Sequence, residues 1–224
     1  MKKILIVAVA CWVLIPTLLA TSQDVLTLPK PPSRNTIGFE EVLNKIQTDR
    51  AYSSRPISLS DFSYVLWSAA GNRFNTDAVS GASKTYPSAL GIYPVRIYVL
   101  VGNVEGVKPG IYLYLSSEHG LKLLKAGDNR KNAVEGSPYA GFVALAPATV
   151  ALASDYNVVS GLGERGRSVV LPFEVGQVSQ MLRLGAAASG LEVGIVGDFD
   201  PIRIKTLFGI AEEPFVLLPF GYAP

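Results

Sequence analysis

Few side chains in this sequence can do chemistry by themselves. It holds one histidine, His119, and one cysteine, Cys11. A Ser–His–Asp triad needs its histidine poised beside a nucleophile. His119 instead stands in "SSEHG", between two apolar runs that read as a hairpin. One His and one Cys also exclude an ordinary zinc site. Asp198 and Asp200, in "GDFDP", could serve as an acid–base pair. Asp200 directly before Pro201, however, is where a helix N-cap belongs. "GLGERG" at 161–166 fits the G-x-G-x-x-G pattern, but a dinucleotide fingerprint needs a strand immediately before it. Here the polar stretch 154–160 precedes it, so the match reads as chance. No nucleophile or metal cluster is left over. If the protein is an enzyme, a cofactor carries the chemistry and the chain supplies binding and electrostatics.

The elements that would position such a cofactor can be read from periodicity. Residues 39–47 have helical spacing at Val42, Leu43 and Ile46. A second helix opens at Leu59-Ser60-Asp61, capped by Ser58 or Ser60, with Phe62, Val65, Leu66 and Ala69 on one face. Residues 71–86 form a long polar loop, of a length that is usually functional. Strands are expected at 95–101, 110–115, 121–125, 148–153, 192–196 and 214–219. A long apolar helix covers 169–191 and a short one 201–208. Helices and strands mix without regular alternation, which predicts an α+β domain on an antiparallel or mixed sheet.

The 224 residues are 49% apolar and 17% charged, enough for one domain with a sizeable core. The net charge is +2, and both excess positive charges are Lys2 and Lys3. The rest is neutral and offers no broad field for nucleic acid or anionic lipid. Lys2-Lys3, an apolar run over 4–20 and small residues at 18–22 read as a secretory signal, 1–20, cut near Ala20. An uncleaved anchor is the competing reading, since 17 apolar-run residues only just reach a membrane span. Cleavage leaves no thiol, and the chain is expected to be exported to the periplasm or cell surface. Residues 21–37, with "PKPPS", read as an extended leader ahead of the folded domain, 38–224.

Four ordered segments resemble the nitroreductase-like flavoproteins, in particular their SagB-type dehydrogenase branch. They are "ISLSDFSYVLWSAAGNR" (57–73), "KTYPSALGIYPVRIYVLVGNVEGVKPGIYLY" (84–114), "FEVGQVSQMLRLGAAASGLEVGIVGDFD" (173–200) and "EEPFVLLPFGYAP" (212–224). The resemblance implies a nitroreductase-like fold: a central, mostly antiparallel sheet wrapped by helices, in an intertwined homodimer with FMN in two interface sites. It also implies hydride transfer by a ping-pong route between a small-molecule electron donor and an acceptor.

Site residues follow from the same resemblance. Where the family carries an Arg-Arg-Ser-x-Arg run, this chain reads Ile46-Gln47-Thr48-Asp49-Arg50, so Thr48 and Arg50 would meet the flavin while the leading Arg pair is absent. Pro87, Ser88 and Ala89 match the loop that packs on the flavin across the dimer, and Lys84 stands at a usual Arg. Val196, Gly197 and Asp198 match the backbone segment that faces flavin N5. Gln177 replaces the branch's common His.

Overall fold

The computed structural model describes residues 25–32, 37–46, 48, 51–73 and 83–224. The expected signal and the middle of the expected polar loop lie outside these residues. The sheet has seven strands: β1 (Val25–Thr27), β2 (Arg96–Val101), β3 (Gly110–Leu115), β4 (Gly120–Ala126), β5 (Ala148–Ser154), β6 (Glu192–Val193) and β7 (Glu213–Gly221). Their spatial order is β1-β4-β3-β2-β5-β7-β6, and every neighbouring pair is antiparallel. The expected α+β class and antiparallel sheet are present.

Alternation along the strands divides the interior in two, because successive side chains point to opposite faces. Val99 and Val101 of β2, Val150 and Leu152 of β5, and Leu218 and Phe220 of β7 enter one cluster. Tyr98, Leu100, Ala151 and Leu217 enter the other. The first cluster is covered by α2 (Leu59–Ala70) and α6 (Leu171–Ala188), with α1 (Phe39–Lys45) against α6. The second is covered by α3 (Arg130–Ala133), α4 (Ala140–Leu145) and α7 (Pro201–Phe208). Strand β5 is buried on both faces, which explains its unbroken run of small and apolar residues. Pro214 cannot donate to the ladder and lies where the β5–β7 register shifts. Helices α2 and α6 touch closely because Gly185 has no Cβ; one there would collide with the Ser68 side chain.

Caps fall where the sequence placed them. The Ser58 side chain accepts from the Asp61 N–H to start α2, and Asp200 accepts from Ile202 and Arg203 to start α7. "GLGERG" lies in α5 (Gly163–Arg165) and the adjoining turns that lead into α6, with no strand before it. The strand expected at 192–196 is shorter. After Val193 the backbone leaves the ladder, because the Gly194 N–H is taken by Pro219 O and the Tyr52 hydroxyl, and Val196 rejoins opposite Leu217.

The leader requires a correction. It is extended, but it is part of the domain. Strand β1 pairs with the β4 edge, and Leu28 is only 3% exposed. The Leu28 N–H donates to His119 O at 2.9 Å, and the Ser63 hydroxyl donates to Pro29 O at 2.6 Å. An antiparallel edge recruits any extended segment that can bury an apolar side chain against it.

Candidate functional site

The expected site residues fall into two groups at opposite ends of α6. The first group surrounds the end of β6. Thr48 forms an isolated parallel bridge with Val193, which sets it beside that strand. Arg50 itself lies outside the described residues. Val196 exchanges both backbone hydrogen bonds with Leu217 at 2.9 Å, and its N–H is therefore not available to a ligand. Gly197 and Asp198 follow. Their N–H groups have no acceptor among the described residues, while Asp198 O accepts from Ser137. A Cβ on Gly197 would meet nothing within 4 Å. The backbone there faces open space, as an anion- or heterocycle-binding segment must.

Tyr52 fixes this group in place. Its hydroxyl donates to Pro219 O at 2.8 Å and accepts the Gly194 N–H at 2.9 Å. It thereby ties the chain just after Arg50 to both β7 and the turn that leads to Gly197.

The second group is the loop ahead of β2. Ser88 is extended, and a single 3-10 turn follows at Ala89–Gly91. Leu90, Gly91 and Tyr93 all take positive φ, at 54°, 67° and 50°. Glycine adopts that region freely, whereas Leu and Tyr do so at a cost. The Ser88 hydroxyl is 2.8 and 2.9 Å from the two carboxylate oxygens of Glu174, in the first turn of α6. The Ala89 N–H donates to the same carboxylate at 2.8 Å. The Tyr93 N–H in turn donates to Ser88 Oγ at 2.7 Å. Leu90 projects from the tip, 83% exposed.

Lys84 belongs to this second group. It bridges Asn72 across the base of the long loop, and its Nζ lies 5.2 Å from the centre of the Tyr93 ring. Burial, and then the nearby Arg96 charge, push its pKa down. Lys84, Tyr93 and Arg96 line a cavity of about 350 Å³ with Ser116 and Ser117.

Helix α6 keeps the two groups apart. Its 18 residues span roughly 27 Å. The loop hangs on its first turn, and Val193 follows its last. Across the sheet, β2 and the Val196 bridge are separated by β5 and β7, about 14 Å at normal strand spacing. The two groups are therefore well apart within one chain.

Sequence reasoning missed Glu174 and Tyr52. Glu174 left one signal, a lone acid among apolar residues at the start of a long helix. Tyr52 left none. No group of three or more potential metal ligands exists among the described residues. His119 is engaged instead by Ser63, Tyr114 and Pro29.

The sequence profile of the nitroreductase family matches residues 46–222. A protein of Methanocaldococcus jannaschii described as a candidate nitroreductase is 34% identical over 191 residues, covering 85% of this chain and 93% of that one. Among solved structures, a candidate nitroreductase from Ralstonia eutropha superposes with a TM-score of 0.76 at 24% identity, covering 92% of each chain. A chain of the E. coli microcin synthetase complex superposes with a TM-score of 0.66 at 17% identity, over 91% of this chain and 79% of that one.

Proposed function

The chain belongs to the nitroreductase family of oxidoreductases, and on that premise we propose that it is an exported, FMN-dependent oxidoreductase working as a homodimer. One observation carries the cofactor assignment. The N–H groups of Gly197 and Asp198 are unclaimed by described residues and open to the outside, close to the run that holds Thr48. Two backbone donors in a row suit the acceptor edge of an isoalloxazine ring, and Arg50 would bind the opposite, electron-rich edge. Bound FMN supplies two-electron transfer, taken from a donor and passed to an acceptor at one face.

The separation of the two groups supports the homodimer. A second copy, with its own α6 antiparallel to the first, would bring its Pro87-Ser88-Ala89 loop over the Gly197 segment. Phe173 on α6 is 68% exposed and Val169 just before it 45%, the apolar surface such a pairing would cover. The four ordered segments support the SagB-type branch within that family. The Lys2-Lys3 pair and the apolar N-terminal run support export. No helix among the described residues is long and apolar enough to cross a membrane. Outside the cytoplasm NAD(P)H is scarce, so a quinol or similar reduced carrier is the proposed donor.

A second reading has its own support. The run at 46–50 lacks the leading Arg pair, which would suit a module that has lost turnover or flavin. Purification decides between them. A yellow protein whose extracted chromophore has the mass of FMN supports the enzyme. A colourless protein that takes up no added FMN overturns it.

A further inference from the structure

Glu174 is the one charged side chain in the buried set of the described residues, 1% exposed. It has no ion-pair partner there. What faces it comes from the loop ahead of β2: the Ser88 hydroxyl, the Ala89 N–H and the Tyr86 ring. The Tyr86 hydroxyl is itself buried without a hydrogen-bond partner. The nearest cation of that loop, Lys84, stands outside, over Tyr93. A carboxylate withdrawn from water without a cation costs stability, and burial pushes the Glu174 pKa up against the pull of its two hydrogen bonds. The fold alone would be better served by a neutral side chain. A costly residue of this kind points to a role in what it holds.

What it holds is strained. Leu90 and Tyr93 sit at positive φ, a state that persists only where the surroundings impose it. The constraint runs through Ser88: its hydroxyl is bound to Glu174, and its oxygen receives the Tyr93 N–H. The Ala89 N–H is fixed by the same carboxylate. Both ends of the strained stretch are thus referred to one buried group.

We propose that Glu174 is the positioning residue of the flavin-facing loop: by accepting from Ser88 and Ala89 it holds 87–93 in the one backbone shape that can lie against FMN bound by a second copy of this chain. This rests on the flavin reading above. In that arrangement the Ser88 hydroxyl is committed to Glu174, and the loop meets its ligand through backbone and the Leu90 tip.

The test uses the purified full chain with Glu174→Gln and Ser88→Ala. Amide hydrogen exchange at Ala89 and Tyr93, read without added flavin, should be slow in the wild type at pH 7. It should speed up beyond the intrinsic pH trend as acid protonates Glu174. In Glu174→Gln that extra pH dependence should vanish, with melting temperature equal to or above wild type and turnover down tenfold or more. Ser88→Ala should release Tyr93 in the same way. Wild-type exchange at both amides in Glu174→Gln at every pH would overturn the inference. So would melting temperature and turnover falling together, the mark of a purely structural residue. A wild type that binds no FMN defeats the flavin reading instead, while the exchange measurement still decides what Glu174 holds.

Discussion

His119 Nε2 and Ser63 Oγ lie 2.8 Å apart, and both reach the same carbonyl, Pro29 O, at 3.1 and 2.6 Å. Tyr114 completes the set, with its hydroxyl 2.8 Å from Nδ1. One proton arrangement satisfies every group, and we assign it from the network. Tyr114 donates to Nδ1, Nε2–H points at Ser63 and Pro29, and Ser63 donates to Pro29. A second proton on the ring would strand the Tyr114 hydroxyl hydrogen and place a charge in a half-buried site. Burial accordingly holds the His119 pKa below its ordinary 6.5.

Acid should therefore loosen this clasp. The unfolded chain takes up the proton at about pH 6.5, before the folded chain does. The contribution is full above that value and is lost as pH falls through it toward the lower folded pKa. Denaturant midpoints measured from pH 8 to pH 5 should drop for the wild type and drop less for His119→Gln. Parallel curves would show that His119 does not carry the dependence.

The N-terminal strand should be needed for stability. Leu28 is almost wholly buried, and Leu→Ala in such a site costs roughly 2–5 kcal/mol. A chain begun after Pro31 loses that side chain, the β1–β4 pairing and the Pro29 acceptor together. It should unfold at clearly lower denaturant than one begun at residue 25. Equal midpoints would mean that the strand docks without contributing.

That strand also marks where sequence reading stops. Val25–Thr27 is three residues in a polar, Pro-rich stretch, too short to show a period, and its partner β4 lies far along the chain. Strands β2, β3 and β5 were legible because each alternates or stays apolar over six or seven residues. Asp200 and Ser58 were legible because capping is local. Glu174 was visible only as an oddity, since the amide it holds is 85 residues away. The site halves came from the resemblance. Their separation by the length of α6 comes only from the fold.

Asp200 gives a local check on one of those readings. Its carboxylate accepts from Ile202 and Arg203 at the start of α7, and α7 supplies Ile204 and Phe208 to the second core. Asp200→Ala should cost about 1 kcal/mol, while Asp200→Asn or Asp200→Ser should cost much less. If Asp200→Ala lowers turnover with stability intact, the residue belongs to the site rather than to the helix.

If the proposed flavin site is shared between two chains, cofactor and assembly should be linked. A ligand that needs both chains stabilises the dimer by mass action. Light scattering at micromolar concentration should give a dimer, and dilution that yields monomer should release FMN in step. A monomer that keeps its flavin would place the whole site in one chain.

Arg50 tests the chemistry most directly. Thr48, two residues before it in the sequence, bridges Val193, four residues before Gly197. Two-electron reduction leaves negative charge at the N1–O2 edge of a flavin. A guanidinium fixed there favours the reduced form over the oxidised one. A hydrogen bond to a charged group of this kind contributes about 1.5–3 kcal/mol. For a two-electron couple about 30 mV corresponds to 1.4 kcal/mol, so Arg50→Ala should lower the potential by roughly 30–65 mV and weaken FMN binding. Arg50→Lys should recover only part of either effect, because an ammonium lacks the planar fork. The rival reading is an arginine solvated after α1, and it predicts no change in potential or in affinity. That outcome would leave Lys84 as the cation to test next. Lys84 rides on the other group of site residues, so its effect on flavin would have to act across the dimer and disappear with it.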